Sequence, residues 1–67
     1  MLKIDTQGSE KEIIEGSLEL LQQKLIRKIE IEIHKIEDIH YIINTLRNCS
    51  YKYHIIYTDQ YRILAYV

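Results

Sequence analysis

Between Arg27 and His34 the chain alternates strictly, with Ile29, Ile31 and Ile33 on one side and Glu30, Glu32 and His34 on the other. Successive side chains of a β-strand point to opposite faces, so this period of two predicts a strand with one buried and one open face. A strand covered on both faces would be apolar throughout. The rest of the chain must therefore build a sheet with helices against one side only, a two-layer unit.

The flanking segments have helical spacing. Ile14, Leu18, Leu21 and Leu25 recur at intervals of four, three and four, with Ile13 and Leu20 widening the stripe, which predicts one amphipathic helix over Ser9–Lys24. Ser9 with Glu12 three residues later has the pattern of a capping box. Gly16 costs that helix about 1 kcal/mol relative to alanine and is expected to permit close approach to the sheet. Ile36, Ile39, Ile43 and Leu46 predict a second helix up to Asn48. Before the first helix, Leu2 to Asp5 reads as a short strand ending in the polar turn Asp5-Thr6-Gln7-Gly8. After the second, Tyr51–Tyr57 and Tyr61–Val67 are β-rich runs joined by the hairpin-length loop Thr58-Asp59-Gln60. The order is β-α-β-α-β-β, a single α/β domain over residues 1–67. Right-handed crossovers make the first three strands parallel and put both helices on the same face; the closing hairpin makes the fourth strand antiparallel.

At 67 residues such a unit is near the lower limit for autonomous folding. The single cysteine, Cys49, excludes an intramolecular disulfide, and no Cys/His pair has zinc-like spacing. A hydrophobic content of 46%, rich in Ile and Leu, supplies a core and excludes a disordered class. The net charge of -1, without blocks of one sign, speaks against a nucleic-acid partner. No apolar run approaches the ~20 residues that span a bilayer, and Lys3 and Asp5 interrupt any leader-like run, so the expected location is cytoplasmic, without a membrane partner.

The run Lys3-Ile4-Asp5-Thr6-Gln7-Gly8-Ser9-Glu10, followed by Ile13-Ile14-Glu15-Gly16 and Leu20-Leu21, resembles a signature of FkbM-type S-adenosylmethionine methyltransferases. In that family a strand ends K-I-D-x-[EQ]-G-[AS]-E, and the next helix carries a V/I-L/I-x-G element and a double leucine. Ile31-Glu32-Ile33-His34 is similar to the family's following strand, and Arg62 to Val67 to its terminal antiparallel strand. The resemblance implies strands four to seven of a seven-stranded Rossmann-like sheet, hence an order 1-2-4-3 for the strands of this chain. It also implies S-adenosylmethionine as cofactor of the complete fold. The glycine-rich turn that approaches the cofactor belongs to the family's first strands, and Gly8 and Gly16 are the only glycines here. The expectation is a C-terminal methyltransferase fragment, inactive alone and binding no cofactor by itself. The alternative is a small homo-oligomeric interaction module that reuses the fold.

The parallel arrangement places Asp5 and His34 at the carboxyl ends of adjacent strands, the edge where open α/β sheets bind ligands. Asp5 and His34 are the candidate catalytic pair, one positioning an acceptor hydroxyl and the other assisting as a base. Gln7, Glu10 and Glu32 are the candidate substrate-binding residues of the same rim. The plainer account has Asp5 and Gln7 shaping a turn, Glu10 favouring a helix start and His34 ending a strand. Asp5, Glu32 and His34 also combine carboxylates with an imidazole, but three such residues are too few to assign a metal. Tyr51, Tyr53 and Tyr57 share one strand face and are expected to pack across strands, and Cys49 has no activating base nearby. The expected partners are a second copy, through the open sheet face or the edge of the first strand, or a separate N-terminal half.

Overall fold

A computed structural model describes residues 1–5 and 8–67. Strand β1 (Leu2–Ile4) leads to α1 (Glu10–Gly16) and α2 (Leu18–Gln22), then β2 (Lys28–Ile33). A 3-10 turn (Ile36–Asp38) runs into α3 (Ile39–Asn48), and the hairpin β3 (Lys52–Tyr57) and β4 (Tyr61–Tyr66) closes the chain. The four strands form one sheet in the order β1-β2-β4-β3. β1 runs parallel to β2, with Ile4 opposite Ile31, and β4 pairs antiparallel with both β2 and β3. This is the mixed α/β sheet expected from the sequence.

The period-two reading of β2 holds residue by residue. Ile29, Ile31 and Ile33 are buried, whereas Glu30 and Glu32 are only half-buried. The register carries the same face across the sheet, since Ile29 lies opposite Ala65 and Ile31 opposite Ile63. These residues join Ile14, Leu21, Ile42 and Leu46 in a single apolar cluster, so α1, α2 and α3 all cover one face. Fully burying an Ile or Leu side chain is worth about 1.5–3 kcal/mol, and this cluster is what holds the two layers together. The opposite face carries Lys3, Glu30, Leu64 and His54 along one row and Glu32, Arg62 and Ile56 along the next.

The expected Ser9–Lys24 helix is instead two helices with a break at Ser17. Gly16-Ser17 supplies the cause, because two poor helix formers in succession leave little to hold the turn. The Ser17 N–H is shared between the carbonyls of Ile13 and Ile14, at 3.0 and 3.2 Å. Gly16 does not mediate close packing either: it is exposed, and a Cβ there would meet nothing within 4 Å. The Ser9 side chain makes no capping hydrogen bond, so the capping box does not form.

Both helical stretches end without glycine. Lys24 takes a φ of +58°, with N–H groups of Lys24 and Leu25 donating to Leu21 and Leu20. Ser50 takes a φ of +65°, with N–H groups of Ser50 and Tyr51 donating to Arg47 and Leu46. These paired bonds are Schellman caps built on left-handed residues that carry side chains. The first cap turns the chain away before Leu25 can join the helix stripe, and Leu25 and Leu20 are exposed. In α3 the buried side chains are Ile42, Thr45 and Leu46, while Ile36 falls in the 3-10 turn and is exposed. The second cap delivers Tyr51 into the core, where its hydroxyl donates to the carbonyl of Ile26.

Candidate functional site

The parallel pairing of β1 and β2 brings their carboxyl ends side by side, and Asp5 and His34 leave the sheet there. Their side chains are joined across the strand gap, His34 Nε2 lying 3.5 Å from Asp5 Oδ1. Asp5 is exposed, and about a fifth of the His34 side chain reaches solvent. Glu32, one pleat back on β2, is half-buried on the same open face. Asp5, Glu32 and His34 each present a ligand atom within 4.8 Å of the others.

Glu10 differs from its expected role as a rim residue contacting substrate. It is 2% exposed and directed into the fold. One carboxylate oxygen accepts the Gly8 N–H at 2.6 Å and the other the His34 N–H at 2.7 Å. The side chain thereby ties the turn after β1 to the end of β2. Burial alone would push this carboxyl up, but the backbone N–H groups of His34, Gly8 and Glu10 itself, with the nearby His34 ring, hold it below its ordinary value. The His34 Nδ1 lies 3.4 Å from Glu10 Oε1 and is buried without a hydrogen bond, while Nε2 lies on the Asp5 side of the ring. Gln7 lies outside the described residues.

Gly8 explains why the turn fits. Its φ of +105° is a conformation that residues with side chains rarely adopt, and a Cβ there would come within 3.1 Å of the Lys35 side chain. The glycine lets the backbone N–H face Glu10 while Lys35, following His34, passes close above. The sequence marked Gly8 as part of a motif; the reason lies in a neighbour 27 positions away, which only the fold supplies.

Two other concavities lie away from this edge. One, of about 590 Å³, is at the amino ends of β1 and β2, between Leu2, Leu25, Ile26 and Lys28. The other, of about 330 Å³, is a shallow depression on the open sheet face near Leu64, His54 and Tyr66. Neither contains Asp5, Glu32 or His34. The Tyr66 hydroxyl and His54 Nε2 are 3.1 Å apart and their rings stack, which accounts for both as cross-strand packing. Cys49 is a buried thiol at the end of α3. No helix among the described residues is long and apolar enough to cross a membrane.

The edge just described falls within residues 1–53, over which the chain matches the family model of the methyltransferase FkbM domain. No curated protein and no solved structure matches the chain significantly. The match takes in β1, the Gly8–Glu10 turn and β2 with His34, and covers more than half of the 67 residues. The chain belongs to the FkbM methyltransferase domain family.

Proposed function

We propose that this chain is the acceptor-side wall of an FkbM-type methyltransferase domain, catalytically inactive alone and completed by a glycine-rich β-α-β half that binds S-adenosylmethionine. The observation that carries the reading is the pairing of Asp5 with His34 at the carboxyl edge of two parallel strands, within the family-matched segment. In this reading Asp5, exposed and 3.5 Å from the His34 ring, orients an acceptor hydroxyl or takes its proton. Glu32 stands beside it as a further polar contact. Glu10 acts as a positioning residue, fixing the main chain of His34 rather than touching the acceptor.

The residues present do not fit S-adenosylmethionine. Gly8 is engaged with Glu10 and Lys35, and Gly16 is exposed within α1, so neither forms a turn into which a cofactor could be drawn. No step is therefore assigned to the cofactor in this chain. Calorimetry with millimolar S-adenosylmethionine should give no saturable heat with the chain alone. Fused behind the glycine-rich half of an FkbM-family domain, it should support methyl transfer to a hydroxyl that Asp5→Asn cuts at least tenfold. Saturable cofactor binding by the chain alone would overturn the reading.

A second reading, a homo-oligomeric interaction module, is favoured by the edge of the sheet. Among the described residues β1 pairs only with β2, which leaves its outer N–H and C=O groups available to another strand. Lys3, paired with Glu30 at 3.7 Å, is the one charge on that short strand. Sedimentation equilibrium at micromolar concentration should show a dimer, and a well-folded monomer would exclude this reading.

A further inference from the structure

We propose that Asp5, Glu32 and His34 bind a divalent first-row metal ion at the carboxyl edge of β1 and β2. The three residues come from adjacent parallel strands and share the open face. Ile4 lies opposite Ile31, so Asp5 and Glu32 stand side by side one residue further on, and His34 follows two residues later. Their ligand atoms already fall within 4.8 Å of one another. With metal–ligand bonds of about 2.1 Å, the 3.5 Å between His34 Nε2 and Asp5 Oδ1 subtends roughly 110° at a shared ion, the angle of a tetrahedral site. The Glu32 ligand atom, within 4.8 Å of the other two, would have to come within about 4.2 Å to share the ion, and solvent at the exposed Asp5 side would supply the remainder.

Two further features separate this arrangement from a surface ion pair. First, the two ring nitrogens of His34 face different groups. Its Nδ1 lies 3.4 Å from the buried Glu10 carboxylate without a hydrogen bond between them, and its Nε2 lies on the Asp5 side, where an ion would sit. Second, Asp5 and Glu32 bring two negative charges together, a repulsion that a His–Asp pair does not require. Arg62 lies opposite Glu32 in the β4 register, yet no ion pair joins them among the described residues. A dication neutralises both carboxylates at once. Two carboxylate oxygens and one imidazole nitrogen suit Mn²⁺ or Zn²⁺ better than Ca²⁺.

Binding stands on this geometry and does not depend on methyl transfer; only a role for the ion in holding an acceptor oxygen would rest on the function proposed above. The test titrates Mn²⁺ into the chelator-treated full chain and follows NMR line broadening. Broadening should centre on Asp5, Glu32 and His34 and saturate at one ion per chain, and Zn²⁺ should compete. Asp5→Asn, at an exposed position, and Glu32→Gln, at a half-buried one on the open face, should each weaken binding at least tenfold with unchanged amide spectra elsewhere, and His40→Gln, at an exposed histidine of α3, should not. Broadening spread over the acidic residues of α1 and α2, affinity unchanged in Asp5→Asn, or no localised effect up to roughly millimolar Mn²⁺ would overturn the proposal. If a variant loses its fold, the position of the broadening in the wild-type chain decides.

Discussion

Replacing Glu10 by glutamine changes one oxygen to an NH₂ group and tests how the turn after β1 is held. In the native fold one carboxylate oxygen accepts the backbone N–H of Gly8 at 2.6 Å and the other that of His34 at 2.7 Å. Glutamine has one acceptor oxygen, so an NH₂ group must face one of these N–H donors. Hydrogen bonds to a charged acceptor contribute about 1.5–3 kcal/mol each, and an orphaned buried N–H costs about 1–3 kcal/mol more. The expected loss is about 3–5 kcal/mol, a large share of the roughly 3–10 kcal/mol available to 67 residues. Urea unfolding in chelator-containing buffer, followed by circular dichroism, measures it as a lower midpoint at unchanged slope. The pH dependence fixes the cause. Glu10 sits below its ordinary 4.5 in the folded state, so its stabilisation is present above the unfolded-state value and lost as pH falls through the folded one. The gap between wild type and Glu10→Gln should therefore be full at neutral pH and narrow on acidification below about 4.5. A gap under about 1 kcal/mol, or one that widens in acid, would show that burial outweighs the amide donors and that the reasoning is wrong.

The two glycines should respond oppositely to alanine. Gly8→Ala is expected to cost more than 1 kcal/mol, from its φ of +105° and the Lys35 side chain at 3.1 Å, while Gly16→Ala should stabilise by about 0.5–1 kcal/mol in open space; thermal unfolding measures both. Ser50→Gly should stabilise by about 1 kcal/mol by relieving the left-handed C-cap of α3, readable in the same urea experiment. Burial, with a smaller contribution from Cys49, holds the Tyr51 hydroxyl above its ordinary 10.0, so its neutral form stabilises the fold below that pH and the benefit is lost above it. Ultraviolet tyrosinate titration should show a late step that disappears in Tyr51→Phe.

The sheet was legible because each of its signals is local. Alternation in β2 needs only the pleat, and the three-residue loop between β3 and β4 only the hairpin rule. The strand order came from the family signature, whose residues run from β1 to α2, not from periodicity. The helices were less legible. A stripe of apolar residues ran through Gly16-Ser17 and on to Leu25, yet the backbone breaks at the first point and reverses at Lys24. Both Schellman caps use residues other than glycine, so the usual mark of a helix end was missing. Ile42, fully buried, lies between two stripe residues and was overshadowed by Ile39 and Ile43.

The sequence by itself determined the positions of the four strands along the chain, the buried face of β2, and that Asp5 and His34 leave adjacent strands at the same edge. Strand polarity and a period of two settle these without reference to distant contacts. Only the tertiary structure decided what the edge residues do for one another. Glu10 and His34 are 24 positions apart, and whether a carboxylate faces solvent or two backbone amides depends on how α1 seats against β2. The same packing sets the His34 ring against Glu10 and brings Asp5 and Glu32 near it. Charge at such a position reads the same in sequence whether it is exposed or buried, and burial is a property of the assembled layers.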